Sequence, residues 1–411
     1  MIDPQKHKNL IILILGALAT VTPFAIDMYL PAFAQIADDF HTETAQIALS
    51  VSSYFIGMAI GQLLYGPLLD RFGRKRPLYI GLSIFILASI GCMQSANVET
   101  LIAFRFVQAL GGAVAWVGAV AMVRDFFPVK ESAKIFSLLI LILGVSPLLA
   151  PTVGGFITTS LSWQWVFIVL ALITFIILLV VFFYLPEGHQ PDKTISLKAR
   201  PMIETFVGIL KHPQFSTYAF AGSFSFATLF IYVAGSPVIF MEVYQITPQQ
   251  YGGVFALLSV GFIGGSQLNI LLNKKFKSEQ LFWVALIIQV INGMVFFTCA
   301  WSGVLNLYST LILFFIALSC IGIINPNANA LALAPFTRNV GSASALIGCL
   351  QIGVAALASS GVGLSDSTNI LPIIGLLSGT SILALIILVI GRKKLGGEFA
   401  EATSALENAA H

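Results

Sequence analysis

Two ionisable residues lie within long apolar runs, and they are the side chains best placed to do chemistry. Asp27 lies in the apolar run 9–33, and Arg105 lies in the run 99–123. A charge at depth in a bilayer costs about 2.5–3.5 kcal/mol on insertion scales, so such residues usually pair or mark an ion or substrate pathway. Burial disfavours the charged carboxylate, whereas a nearby guanidinium favours it. The two residues are therefore predicted to be a proton-coupling pair; the alternative is that they only hold two helices together.

The elements that must position these residues are membrane-spanning helices. Charged residues make up 9% of the 411 residues, whereas soluble proteins carry about 25%. This composition excludes a soluble globular protein, a disordered chain and a nucleic-acid-binding protein, and the four isolated cysteines suggest neither a disulfide scaffold nor a metal site. A helical span needs about 20 apolar residues. The chain is predicted to be an all-α membrane protein with twelve transmembrane helices, at 9–33, 44–66, 77–96, 99–123, 133–159, 163–185, 214–241, 247–272, 280–301, 305–334, 341–364 and 369–391.

Basic residues predict the orientation of these helices. Twenty of the 21 Lys and Arg residues lie on alternate connections or at the ends, and Arg105 is the exception. Because basic residues favour the cytoplasmic side, both termini are predicted to be cytoplasmic. The longest hydrophilic segment divides the chain into two halves of similar length and helix number, as is expected of transporters built from repeated helix bundles. We predict a six-helix bundle at 1–185, a cytoplasmic linker at 186–213, a six-helix bundle at 214–394 and a flexible tail at 395–411.

Polar and aromatic residues at helical spacing predict a water-accessible cavity. Phe24 shares one side of its helix with Asp27, and Gln108 shares one side with Arg105. The second half contributes aromatic and amide side chains to the opposite wall. Glu242 is interpreted as a solvated loop acid, with an outer-gate residue as the alternative. The predicted substrate-binding residues are Phe24, Tyr54, Gln108, Phe226, Phe230, Asn325 and Asn329. All five histidines lie in loops or tails and the chain has no P-loop, so neither an enzyme nor a metal site nor a cofactor is predicted.

A motif between the second and third predicted helices identifies the superfamily that the chain resembles. Residues 66–78 read G-P-L-L-D-R-F-G-R-K-R-P-L. This segment resembles motif A of the major facilitator superfamily, G-x-L-x-D-R-x-G-R-K-x-x-L, at every specified position. Its predicted gate residues are Gly66, Asp70, Arg71, Gly73 and Arg74. Together with Arg124 and Asp125 at the end of the fourth helix, they are predicted to form a cytoplasmic latch.

Two further segments narrow the resemblance. Residues 105–113, R-F-V-Q-A-L-G-G-A, resemble motif B, with Ala109 in place of the usual Gly. Residues 144–155, G-V-S-P-L-L-A-P-T-V-G-G, resemble antiporter motif C, with Ala150 in place of a Gly. The predicted antiporter-motif residues are Gly144, Pro147, Pro151, Gly154 and Gly155. With A-I-D-M-Y-L-P at 25–31, these segments are similar to the Bcr/CflA (bicyclomycin and chloramphenicol resistance) branch of drug:proton antiporters.

The resemblance implies a function as well as a fold. It implies two six-helix bundles, alternating access, and export of amphiphilic drugs driven by the proton gradient across the bacterial cytoplasmic (inner) membrane. The implied partners are a small amphiphilic substrate, protons and the lipid bilayer, with no nucleic acid, and the protein is expected to be a monomer. A facilitator or symporter for a small metabolite is the alternative, because fold does not fix function. A membrane sensor is disfavoured because the longest soluble stretch is the 186–213 linker.

Overall fold

Helices account for all the regular secondary structure of the residues that the structure, a computed structural model, describes. These residues are 8–127, 129–188, 191, 199–336, 340–364 and 369–409. In chain order the α-helices are α1 Lys8–Asp27, α2 Phe33–Asp39, α3 Thr44–Phe72, α4 Lys75–Met93, α5 Val98–Phe126, α6 Val129–Ser160, α7 Gln164–Tyr184, α8 Ala199–Leu210, α9 Pro213–Pro237, α10 Pro248–Leu272, α11 Ser278–Trp301, α12 Leu307–Leu333, α13 Val340–Gly363 and α14 Leu371–Ala409. A 3-10 helix, Leu30–Ala32, precedes α2, and a π-helix, Val238–Val243, follows α9.

The predicted spans correspond to long helices of the structure. Within the described part of the chain, eleven helical segments are long and apolar enough to cross a membrane. The remaining predicted span, 133–159, lies within α6. The all-helical membrane architecture is therefore confirmed, whereas the count of twelve spans and the cytoplasmic location of the termini stay predictions.

Local sequence signals explain where several helices begin and end. The Asn97 side chain accepts a hydrogen bond from the backbone N–H of Thr100 at 2.9 Å, which caps the start of α5. Gly73 has a φ of +82°, a left-handed conformation that suits glycine, and it ends α3. The first span differs from the prediction because α1 ends at Asp27, and the chain then continues through the 3-10 helix into α2. The segment 34–43, which connects the first two predicted spans, is therefore helical as far as Asp39.

Two segments that were predicted to lack regular structure contain helix. Helix α8 lies inside the predicted 186–213 linker, and α14 continues through the predicted tail to Ala409. In α8 the apolar residues recur at helical spacing, which makes the segment amphipathic. Hydropathy averaged over a span-length window does not detect so short a helix.

The chain divides into two compact units. Unit 1 comprises Met1–Leu197, Phe230–Val260 and Ala356–Ile373, and unit 2 comprises Lys198–Leu229, Gly261–Ala355 and Ile374–His411. The core of unit 1 includes fully buried aromatic side chains such as Tyr29, Tyr54 and Phe85. In unit 2, a core cluster joins residues of α8, α9, α11, α12, α13 and α14.

Candidate functional site

Asp27 is a buried carboxylate at a helix end. It is the last residue of α1, and only 6% of its surface is exposed. The C-terminus of a helix carries partial negative charge, so this position disfavours a second negative charge. Among the described residues none donates a hydrogen bond to the carboxylate. Tyr232 and Tyr251 are also buried in unit 1.

Arg105 is fully buried in the middle of unit 1. Its Nη1 donates hydrogen bonds to the carbonyl oxygen of Ala25 at 3.0 Å and to Oε1 of Gln108 at 2.6 Å. Its guanidinium carbon lies 4.6 Å from the ring centre of Tyr29 and 4.3 Å from that of Tyr54. Cation–π attraction from these two rings therefore offsets part of the cost of burying the charge.

Asp27 and Arg105 do not form an ion pair in the structure, although both lie within apolar runs and were predicted to act as a pair. Both residues are described, and no nitrogen of Arg105 lies within 4.0 Å of a carboxylate oxygen of Asp27. The Nε and Nη2 atoms of Arg105 are buried and have no hydrogen-bond partner among the described residues. Arg105 is instead held by α1 backbone, by Gln108 and by aromatic rings, so the Asp27 carboxylate can change its protonation without breaking a salt bridge.

Gln108 and Tyr54, two of the predicted substrate-binding residues, contact Arg105 in this structure. Gln108 is fully buried, and its Nε2 donates to Oγ of Ser89 at 2.7 Å while its Oε1 accepts from Arg105. Tyr54 is also fully buried, with its ring against the guanidinium. Both side chains therefore position Arg105, and a substrate would reach them only after a rearrangement.

The predicted phenylalanines are less enclosed. Phe24 and Phe230 are half-buried in unit 1, and Phe226 is half-buried in unit 2. The ring of Phe230 packs edge-on against Phe55 of α3 with the ring centres 4.6 Å apart. Their exposed ring area is compatible with contact to an apolar ligand, and their role in binding stays a prediction.

Unit 2 contains a cluster of neutral amides that includes the predicted Asn325 and Asn329. Nε2 of Gln351 donates to Oδ1 of Asn325 at 2.8 Å and to Oδ1 of Asn329 at 3.1 Å. Gln351, on α13, was missed by the sequence analysis, although a glutamine in an apolar helix is the signal that could have found it. Asn327 lies on another side of α12, where it donates to Asn269 at 2.6 Å. Asn325, Asn329 and Gln351 therefore form one hydrogen-bonding group, which we call the amide cluster.

The motif A residues form an ion-pair network at the predicted cytoplasmic side of unit 1. Arg74 donates to Asp70 at 2.6 Å and, through two nitrogens, to Asp125 at 2.7 and 3.2 Å. Burial lowers the pKa of Arg74, but the hydrogen bonds that it donates to Asp125 and Asp70 outweigh this effect, so the pKa is raised overall. Glu187, which the sequence analysis missed, accepts hydrogen bonds from the backbone N–H groups of Arg74 and Lys75 at 2.5 and 3.2 Å. A carboxylate at this position favours the start of α4.

The other predicted gate residues have smaller or undescribed roles. The Arg71 guanidinium lies 5.8 Å from the ring centre of the adjacent Phe72, and a Cβ built at Gly66 meets no atom within 4 Å. The backbone of Arg124 belongs to α5, but its side chain lies outside the described residues. The part of the latch that can be described therefore consists of Arg74 with two aspartates and Glu187.

The antiporter-motif residues shape a close helix crossing. Pro147 and Pro151 lie within α6, as does Gly144, whose surroundings lie outside the described residues. A Cβ on Gly154 would collide with the carbonyl oxygen of Met28, just after Asp27. A Cβ on Gly155 would lie 2.6 Å from the carbonyl oxygen of Pro248 in α10. Small residues here let α6 approach the end of α1 and the start of α10.

Glu242 is a helix contact and not the solvated loop acid that was expected. It lies in the π-helix, and its Oε1 accepts a hydrogen bond from Oγ1 of Thr44 at 2.7 Å. A second polar contact joins Ser52 of α3 to Ser359 of α13 at 2.9 Å. Within unit 1, α3 is therefore tied to segments from the second half of the chain near the predicted outer ends of these helices.

These features define a class of protein. A helical membrane protein with a buried acid, a buried arginine, amide side chains at span depth and a charged network at one membrane face has the features of a secondary transporter. Among the described residues, no group of three or more His, Cys, Asp or Glu side chains could hold a metal ion.

Comparison with known proteins confirms the predicted family. Residues 15–360 match the model of the Major Facilitator Superfamily, and the chain belongs to that superfamily. It is 32% identical to a bicyclomycin resistance protein homolog of Haemophilus influenzae over 364 residues, which are 87% of this chain and 90% of that protein. It is 28% identical to multidrug resistance protein D of Escherichia coli over 359 residues, 86% and 89% of the two chains.

Solved structures support the same fold. The crystal structure of a D-xylose–proton symporter matches with a TM-score of 0.73 at 15% identity, over 93% of this chain and 97% of that chain. A bacterial homolog of the human lysosomal transporter Spinster, in an inward-facing and occupied conformation, matches with a TM-score of 0.70 at 14% identity, over 95% and 96%. At these identities the likeness shows the fold alone.

Proposed function

We propose that this transporter is a proton-coupled antiporter that exports small amphiphilic drugs by alternating access, as a monomer in the bacterial inner membrane. The observation that carries the proposal is the environment of Asp27. Its carboxylate is buried but is not engaged by Arg105 or by any described hydrogen-bond donor. A group of this kind can take up and release a proton at little structural cost, which is what a coupling site must do.

The surroundings favour amphiphilic cargo. The half-buried phenylalanines offer apolar area, and the amide cluster offers neutral hydrogen-bonding groups, a combination typical of small-molecule sites. The names of the relatives refer to resistance to bicyclomycin and to multiple drugs, which supports drugs as the substrate class. The proton gradient would be the driving force.

Everted membrane vesicles test the proposal. With the vesicle interior acidified by respiration, a transported drug added outside should release protons, which restores the fluorescence of a pH-sensitive dye. Asp27→Asn should abolish this release. Asp38→Asn, the same substitution at an exposed acid, should leave it unchanged.

Two results would contradict the proposal. Undiminished drug-dependent proton release in Asp27→Asn would remove Asp27 from the coupling step. A panel of antibiotics that neither releases protons nor is tolerated better by an efflux-deficient host carrying the transporter would argue against drug export and would favour a metabolite carrier.

A further inference from the structure

Helix α8 has an apolar face that the protein covers only in part. Ile209 is buried, and Phe206 and Leu210 pack against the core cluster of unit 2. Ile203 and Val207 are 56% and 42% exposed. Since residues four apart lie one above the other on a helix, these two form a continuous apolar strip beside the covered residues.

The position of α8 in the chain places this strip at a membrane boundary. Only Lys211 and His212 separate α8 from Pro213, where the span that contains α9 begins. Backbone hydrogen bonds from Lys211 to Val207 at 3.0 Å and from Ser216 to His212 at 3.0 Å make this connection a tight turn. The strip therefore cannot lie far from the bilayer surface.

An aromatic residue near the start of α11 is also typical of a membrane boundary. Trp283 packs against the core cluster of unit 2, to which Ile209 of α8 belongs, and the guanidinium of Arg392 lies 5.1 Å from its ring centre. Arg392 also forms an ion pair with Glu279, the residue at the start of α11. Tryptophan is enriched at the membrane–water interface, where its ring contacts both regions.

The charge of this segment complements an anionic membrane surface. The sequence from 193 to 211 contains four basic residues, Lys193, Lys198, Arg200 and Lys211, against one acid, Glu204. Lys211 is exposed and lies one helical turn beyond Val207, directly after the end of α8. Basic residues beside an apolar strip are the pattern of helices that lie in the plane of an anionic bilayer surface.

We propose that α8 binds the bilayer surface, with Ile203 and Val207 inserted at the boundary between headgroups and acyl chains and Lys211 among anionic phospholipid headgroups. This anchor is independent of what the transporter carries, so its test is independent of the proposed function.

Site-specific fluorescence in vesicles tests the anchor on the full-length protein. Ile203→Cys, Val207→Cys and Gly208→Cys would each be labelled with an environment-sensitive dye and reconstituted into vesicles of phosphatidylcholine with phosphatidylglycerol. Gly208 is the matched control because it is exposed on another side of α8 and has no atom within 4 Å of a built Cβ. The parent chain, treated with the same dye, corrects for labelling of the four native cysteines.

The expected result is several-fold stronger quenching by brominated phospholipids at positions 203 and 207 than at position 208. Replacing brominated phosphatidylcholine with brominated phosphatidylglycerol should increase the quenching at 203, and Lys211→Gln should lower that lipid preference by up to about fivefold. Equal quenching at 203, 207 and 208 would overturn insertion of the strip. A lipid preference that is absent, or unchanged in Lys211→Gln, would overturn the role of anionic headgroups.

Discussion

Asp27→Asn tests whether the buried acid and the buried arginine are energetically separate. In the structure Arg105 is held by Gln108, by the Ala25 carbonyl and by the rings of Tyr29 and Tyr54. None of these contacts uses the Asp27 carboxylate. The substitution keeps the shape of the side chain and removes only its charge, so every described contact of Arg105 should remain in place.

The two possible arrangements differ strongly in the expected cost. If Asp27 and Arg105 formed a buried ion pair, removing one partner would cost about 3–5 kcal/mol, because a buried charge would be left uncompensated. For a chain of 411 residues, with an unfolding entropy of about 2.1 cal/mol/K per residue, that loss lowers Tm by about 3–6 °C. Because the structure keeps the two groups apart, we expect Asp27→Asn to change Tm by less than about 1 °C.

Thermal unfolding of a double-mutant cycle measures this difference. The purified parent, Asp27→Asn, Arg105→Gln and the double variant would be compared in one detergent. Arg105→Gln alone should lower Tm, since Gln108 and the α1 carbonyl lose their donor. The double variant should equal the sum of the single effects within about 0.5 kcal/mol. A fall of several degrees in Asp27→Asn that Arg105→Gln restores would refute this reasoning and reinstate the ion pair.

Three further predictions concern the two membrane faces. Asp125→Asn should lower the free energy of unfolding by about 1.5–3 kcal/mol because it breaks a two-bond contact to a buried arginine, whereas Asp70→Asn, at a half-exposed acid, should cost about 0–1 kcal/mol; denaturant unfolding of both variants checks the order. Gly154→Ala should cost about 1–3 kcal/mol and reduce transport, since the methyl group meets backbone that cannot move aside; unfolding and vesicle transport measure both effects. Thr44→Val and Glu242→Ala should each destabilise the protein because each removes one partner of their hydrogen bond; denaturant unfolding measures both, and additive effects in the double variant would show that the hydrogen bond contributes nothing.

The fold could be predicted because a membrane span is a property of composition. A run of about 20 apolar residues is long enough for one membrane-spanning helix and is rarely found in any other structure. The long helices therefore correspond to the predicted runs. The break after Asp27 was missed because it depends on local backbone geometry around Pro31, which an average over the whole run does not register. Helix α8 was missed for a different reason, since at 12 residues it is too short to be a span, although its apolar residues 203, 206, 207, 209 and 210 recur at helical spacing.

For the candidate site, the sequence predicts how far along its helix each residue lies but not which neighbours its side chain contacts. A rise of about 1.5 Å per residue gives the depth of a side chain in its span, and the position of Asp27 and Arg105 within apolar runs was the only basis for predicting them as a pair. The direction of a side chain around its helix depends on packing, and Arg105 turns to Gln108, three residues along its own helix, and to backbone of α1. Glu187 could not be predicted to contact Arg74 because 113 residues separate them.

The distribution of charge between the halves of the chain constrains how coupling can work. The six predicted spans of the second half contain no Asp, Glu, Lys or Arg. Under the proposed function, a substrate that pairs with a carboxylate at depth would therefore use Asp27 of the first half. A cationic drug and a proton would then compete for one group, and this mutual exclusion is sufficient for antiport. A neutral drug would not compete for the carboxylate, so under the proposed function the protonation of Asp27 would have to change the conformational equilibrium instead.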